Sequence, residues 1–178
     1  METVLFDYIS KYIILSEEEK KAILAFEIYK SYKKGLVILN KGQVSEDYYF
    51  IIKGGIRCYY EIDGEEKTTA FFTEYEVFIP QCCATGKPAE HYISCVEDSI
   101  IMVGNNSFEQ TLYRKFPRFE KLFLILFKKS MAEIQFRFDK YKISSPEQRY
   151  LNLIKSKSDL FQRVPQFQMA SFLGITPQ

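Results

Sequence analysis

The hydrophobic pattern of the chain changes twice along its 178 residues. Residues 2–14 place Val4, Leu5, Tyr8, Ile9 and Tyr12 at helical spacing and predict a short amphipathic helix. Ser16, with Glu19 three residues on, has the form of a capping box. It opens a second helix predicted to run to about Phe26, with Ile23, Leu24 and Phe26 facing inward. From Ile28 to Val103 the period shortens. Residues 48–52, 56–62, 67–72, 92–96 and 100–103 are rich in β-branched and aromatic side chains and predict strands. Breaks fall at Gly35, Lys41-Gly42, Lys53-Gly54-Gly55, Asp63-Gly64 and Gly86-Lys87-Pro88. Asp63-Gly64 lies between two such runs and is the strongest hairpin signal. Short, closely spaced strands with no long helix between them predict an antiparallel barrel or sandwich.

After residue 104 the pattern becomes helical. Asn106-Ser107 is read as the cap of a short helix through Leu112, and Pro117 as a first-turn residue. The helix that follows runs over 118–142 without Gly or Pro, roughly 37 Å long. Its apolar positions fall on two strips. One holds Phe119, Phe123, Phe127, Met131, Ile134, Phe138 and Tyr141; the other holds Leu122, Leu126 and Phe136, with Ile125 and Ala132 beside them. One strip can pack on the chain's own barrel. The other is free for a second copy, unless the chain itself buries both. The dimer reading places Leu122, Leu126, Lys129 and Phe136 at the interface. Ser144-Ser145-Pro146-Glu147 ends this helix and caps another containing Tyr150, Leu151, Leu153 and Ile154. Residues 164–178 read as helix, tight turn at Gly174, and a new start at Thr176-Pro177.

Charge sharpens this division. The net charge is +1, but residues 1–113 hold 11 Lys/Arg against 18 Asp/Glu, whereas residues 114–178 hold 13 against 5. A basic second half behind an acidic first half fits a polyanion partner for the second half alone, or a solvated helix surface. Cys58, Cys82, Cys83 and Cys95 form no C-x-x-C pair, and the one histidine is His91, so free buried thiols are expected rather than a metal site or a disulfide framework. With one histidine, no nucleophile–base pair and no phosphate loop, no catalytic residue and no cofactor are expected. The sequence shows no apolar run long enough to span a membrane and no signal peptide at its start, which fits a cytoplasmic protein.

In order and spacing, several segments resemble the Crp/Fnr family of transcription regulators over nearly the whole chain. They are residues 34–42, residues 49–57, the Asp63-Gly64 hairpin, Val96-Glu97-Asp98-Ser99, Ser145-Pro146-Glu147-Gln148-Arg149, and residues 170–176. The resemblance implies a mainly β-plus-α fold. A double-stranded β-helix (jelly-roll, cupin-like) effector domain would occupy 1–117, a dimerisation helix 118–143, and part of a winged helix-turn-helix 144–178. It implies a homodimer that binds DNA and answers to a small-molecule effector. In the family's cyclic-nucleotide pocket a Gly-Glu pair and an Arg-Ser pair hold the ribose and the phosphate. By position they become Ile79-Pro80 and Ala89-Glu90 here, so cyclic AMP is not expected. The pocket candidates are Ile79, Pro80, Gln81, Ala89, Glu90 and His91. The DNA-facing candidates are Arg149, Gln166, Gln168, Thr176 and Gln178, with Lys155, Lys157 and Arg163 as further phosphate contacts. A ligand- or partner-sensing barrel without DNA activity is the competing reading.

Overall fold

A computed structural model of the chain describes residues 2–25 and 28–175. Two helices, α1 (Glu2–Ser10) and α2 (Glu17–Leu24), precede the strands β1 (Tyr29–Tyr32), β2 (Val37–Leu39), β3 (Tyr48–Lys53), β4 (Ile56–Ile62), β5 (Glu65–Phe72) and β6 (Val77–Phe78). A short helix α3 (Gln81–Thr85) leads to β7 (Tyr92–Cys95) and β8 (Ser99–Gly104). Five helices follow: α4 (Asn106–Lys115), α5 (Arg118–Ile143), α6 (Pro146–Lys157), α7 (Leu160–Arg163) and α8 (Gln166–Leu173). The strands form two antiparallel sheets, ordered β1-β8-β3-β6 and β2-β7-β4-β5, which is jelly-roll connectivity. At the β4–β5 hairpin both turn residues, Asp63 (φ 55°) and Gly64 (φ 79°), are left-handed, as a two-residue turn of this hand requires.

Two apolar layers follow from the strand alternation. Tyr49, Ile51, Ile101 and Val103 point from β3 and β8 into the barrel, where they meet Leu39, Ile56, Phe72, Ile93 and Cys95 of the other sheet. Their neighbours Tyr48, Phe50, Ile52 and Met102 point outward and are covered by Leu5, Ile9, Ile23, Phe108, Leu112, Phe119 and Leu122 of the flanking helices. The first sheet is thus buried on both faces. That is why β3 reads Tyr-Tyr-Phe-Ile-Ile without polar alternation. Each of these fully buried aliphatic side chains contributes about 1.5–3 kcal/mol of apolar transfer free energy.

Several boundaries differ from the sequence reading. α4 is capped by Asn105, whose side chain accepts from the Phe108 amide at 2.9 Å, so Asn106 and Ser107 lie in the first turn. The helix runs past Leu112 to Lys115 because Leu112 is buried in mid-helix. Pro117 is the residue before α5 rather than inside it. α2 closes at Leu24; Phe26 lies outside the described residues. Ser16 and Ser145 both form complete capping boxes, with Glu19 and Gln148.

α5 divides along its length. Phe119 and Leu122 are buried against the barrel, with Phe123 and Leu126 half-buried beside them. From Phe127 onward the apolar side chains are exposed on every side: Phe127, Met131, Ile134, Phe136, Phe138, Tyr141 and Ile143. Leu122, placed at the dimer interface from sequence, is instead part of the chain's own core, because the first two turns cover the outer face of β3 and β8. Leu126 goes partly the same way. Lys129 donates from Nζ to the Tyr12 hydroxyl at 2.9 Å, and Phe136 is 62% exposed.

One ion pair ties this helix to the N-terminal segment. The buried Glu19 carboxylate accepts from Arg118 Nε at 2.5 Å and from a second guanidinium nitrogen, and it also accepts from the Ser16 amide at 2.7 Å. The Arg118 hydrogen bond holds the Glu19 carboxyl below the usual carboxylate range, against the opposing effect of burial. A folded pKa below the unfolded value of about 4.3 stabilises fully above that pH and is lost as pH falls through the folded pKa. Glu19→Gln is therefore expected to lower unfolding free energy at pH 7 by about 1.5–3 kcal/mol and to flatten the acid limb below about pH 4.3. Urea titrations between pH 7 and pH 3 check both.

Candidate functional site

The effector candidates lie where β6 passes into α3 and where the following loop enters β7. Pro80 is fully buried and precedes α3; Gly86, left-handed at φ 67°, ends it. The Ala89 amide donates to Gln43 O and its carbonyl accepts from the Gly42 amide, both at 2.8 Å, which fixes the loop against the turn before β3. Ala89 and His91 are buried; Ile79, Gln81 and Glu90 are exposed. Among residues 79–91 the one cation is Lys87, and it is exposed. The six candidates therefore share a segment without converging on one space. A large apolar cleft of about 1190 Å³ runs between the barrel, α1, α4 and α5, and of the six only Ile79 lines it.

His91 is the chemically distinct member. It is 4% exposed, and neither Nδ1 nor Nε2 has a hydrogen-bond partner among the described residues. Its ring lies 5.7 Å from the Tyr60 ring and 5.9 Å from the Phe78 ring. Desolvation pushes its pKa below the ordinary value, with Glu90 opposing, so the neutral imidazole is favoured. It offers one donor and one acceptor, both unpaired. Because the folded pKa is the lower one, the unfolded chain binds the extra proton, and stability falls as pH drops below about 6.5. His91→Leu is expected to remove this slope without loss of stability at pH 7.5. Melting temperatures at pH 7.5 and 5.5 test it; a slope retained by the variant contradicts the assignment.

The DNA-facing candidates fall into two groups. Gln166 is exposed at the start of α8, and Gln168 is half-buried with Oε1 unpartnered among the described residues. Thr176 and Gln178 lie outside the described residues. Arg149 is engaged within the chain: its guanidinium stacks 3.9 Å from the Tyr141 ring centroid and donates to the Tyr141 and Leu173 carbonyls at 3.3 and 3.4 Å. α8 closes at Gly174, left-handed at φ 71°, and the Ile175 amide returns to Ala170 O. Lys155 is exposed and has no ion pair among the described residues.

Sequence reasoning missed a seam between α6–α8 and the barrel. Arg163 uses all three guanidinium nitrogens there: two on Glu74 at 2.9 and 3.0 Å, Nε on Glu97 at 2.6 Å, and one on Asp159 at 2.7 Å. Lys157 donates to Glu76 and to the Phe71 carbonyl. The other Glu76 oxygen accepts from Arg137 of α5 at 2.9 Å. Ser171 completes the open edge of β5, accepting from the Thr68 amide at 2.9 Å and donating to Glu66 O at 3.2 Å. Phe172 meets Phe71 edge-on at 5.3 Å. Glu74 also accepts from the Gly54 amide at 2.8 Å. That position must be glycine, since φ is +89° and a Cβ would lie 2.4 Å from Ser99 Oγ. The only advance signal was the opposite charge of the two halves.

Among the described residues no helix is long and apolar enough to cross a membrane, and no cluster of His, Cys, Asp or Glu could hold a metal ion. No curated protein matches the chain by sequence. Residues 29–115 match the family model of the cyclic nucleotide-binding domain. Among solved structures, the chain is similar to the Thermus thermophilus catabolite activator protein (TM-score 0.57, 18% identity, 95% of this chain and 81% of that one). It is also similar to FixK2 from Bradyrhizobium japonicum (TM-score 0.66, 14% identity, 83% and 77%). A third is CLP of Xanthomonas campestris, a c-di-GMP-responsive global regulator (TM-score 0.63, 15% identity, 90% and 86%). Residues 29–115 thus match the cyclic nucleotide-binding domain, and the chain shares its fold with the Crp/Fnr regulators.

Proposed function

We propose that the chain is the sensor, dimer helix and partial DNA-binding head of a cytoplasmic Crp/Fnr-type transcription regulator, not an enzyme. In this reading residues 1–117 receive an effector, 118–143 dimerise, and 144–178 begin a helix-turn-helix. The observation that carries it is the order of parts: a jelly-roll barrel, then a 26-residue helix with an exposed apolar C-terminal half, then α8 closed by a left-handed glycine. Seven large apolar side chains on the last four to five turns of exposed helix, from Phe127 to Ile143, are costly in water and suit a second copy packing in parallel. A dimer brings two heads to two half-sites of a near-palindrome, which one head cannot read alone.

Cyclic AMP does not suit residues 79–91. Ala89 and Glu90 stand in place of the Arg-Ser phosphate clamp, so the cation is missing and a like charge is added; removing a charge-assisted contact already costs about 1.5–3 kcal/mol. The free nitrogens of His91 instead suit an effector that presents both a donor and an acceptor. The pairing of Lys157 and Arg163 with barrel carboxylates favours the competing reading, a sensing module without DNA activity. Binding of the protein to a random-sequence duplex library decides between them: enrichment of a palindrome supports the regulator, and failure to bind at any salt concentration supports the module.

Two outcomes test the dimer and pocket assignments. Met131→Asp with Phe136→Asp is expected to convert a dimer to a monomer by light scattering, with the barrel's melting temperature retained; an unchanged dimer mass refutes the face. Millimolar cyclic AMP is expected to leave the melting temperature unchanged. A ligand at 100 times its Kd would add about 2.7 kcal/mol, a shift of several degrees that would overturn the pocket reading.

A further inference from the structure

The turn between β5 and β6 gathers contacts from α1, β3, α5, α6 and α7. Glu74 and Glu76 stand on either side of Tyr75, which is left-handed at φ 68°, a conformation that bulky residues rarely adopt. The turn is held to β3 by the Tyr75 amide on Ile51 O at 2.9 Å and the Ile51 amide on Glu76 O at 3.1 Å. It is closed by the Thr73 amide on the Glu76 carboxylate at 2.7 Å. On its far side Glu74 grips Arg163 and Glu76 grips Lys157, with Glu97 as a third acceptor.

We propose that Glu74, Glu76 and Glu97 form an ionic latch that holds α6–α8 on the barrel and competes with a polyanion for the same cations. The inference rests on the DNA-binding reading above for the identity of that polyanion. Glu74 presents two oxygens to the Arg163 fork, the geometry in which a guanidinium also grips a phosphate. While latched, Arg163 has no guanidinium nitrogen left for DNA, and Lys157 is covered. α8 is committed as well. The first helix of a helix-turn-helix must cross the DNA backbone, and here Ser171 and Phe172 fasten it to β5. The apolar part of the barrel's side is small, Phe71 and Val96, so the carboxylates set much of the balance.

The latch has a built-in route to the effector segment. The chain passes from Glu76 through the two residues of β6 to Ile79, Pro80 and α3. An occupant that displaces α3 therefore acts on the Glu76 backbone across only four intervening residues. Because Arg137 of α5 shares that carboxylate, the same displacement reaches the long helix. The strained Tyr75 lies between the two carboxylates, where a change of backbone state would withdraw both.

The test changes Glu74, Glu76 and Glu97 together to Gln in the full chain. A charge-matched control changes the exposed Glu17, Glu46 and Glu61 to Gln. Hydrogen exchange at the Thr68 amide, held by Ser171 Oγ, reads docking without any DNA. Fluorescence anisotropy with a random-sequence duplex reads the competition. The latch predicts Thr68 exchange about tenfold faster in the seam variant than in the control, with β3 amides unchanged. It also predicts duplex affinity about tenfold tighter than the control, beyond what the shared charge change contributes. If the seam variant does not fold, the unaltered chain gives the same reading: Thr68 exchange accelerates at about 0.5 M salt while β3 stays protected. Equal Thr68 exchange in variant and control, or no salt effect, overturns the latch. Faster exchange with no duplex binding by any form overturns the competition, and with it the DNA-binding reading.

Discussion

One largely buried carboxylate connects the parts of this molecule. Glu76 takes the Thr73 amide and Lys157 on one oxygen and Arg137 on the other. It therefore bridges the β5–β6 turn, the C-terminal end of α6 and the long helix. Burial alone would raise its pKa. The charge and hydrogen bond of Lys157, the Thr73 amide and Arg137 together hold it below the ordinary carboxylate range instead. A carboxylate so placed stays ionised near neutrality, and removing one partner leaves an uncompensated charge in a poorly solvated place.

The rest of the architecture arranges what the junction connects. The first sheet is covered on its outer face by α1, α2, α4 and the start of α5. The second sheet ends at β5, whose open edge is closed by a serine hydroxyl rather than by another strand. A polar side-chain cap is weaker than a strand pairing, so α8 is held to β5 by Ser171 together with the packing of Phe172 on Phe71. The division of α5 into a buried first half and an exposed second half separates intrachain packing from whatever the exposed half meets.

Much of the barrel was legible because period-2 runs bounded by Gly and Asp-Gly have few alternative readings. The missed elements are those with too little sequence to show a period: β1, β2 and β6 span four, three and two residues. α3 reads Gln-Cys-Cys-Ala-Thr, with no apolar face and no side-chain cap, and is fixed by Pro80 and Gly86 at its ends. The strips on α5 were visible, but not that its first turns would be claimed by Phe50 and Met102 on the outer face of the sheet. Of the site, the segment 79–91 was found, and the burial of His91 was not, since a histidine's burial depends on rings as distant as Tyr60 and Phe78. The charge asymmetry was read toward an external polyanion. The acidic barrel is the nearer one, and pairs about 80–90 residues apart, such as Lys157 with Glu76, leave no local trace in a sequence.

The central claim is that the barrel and the C-terminal helices are coupled through the Glu76 junction. A double-mutant cycle on Glu76→Gln and Lys157→Met, read by urea unfolding at low salt, addresses it most directly. A coupling of about 1 kcal/mol or more, shrinking as salt is raised, is the expected result. Single effects that add within about 0.3 kcal/mol would show that the two residues act independently and would contradict it.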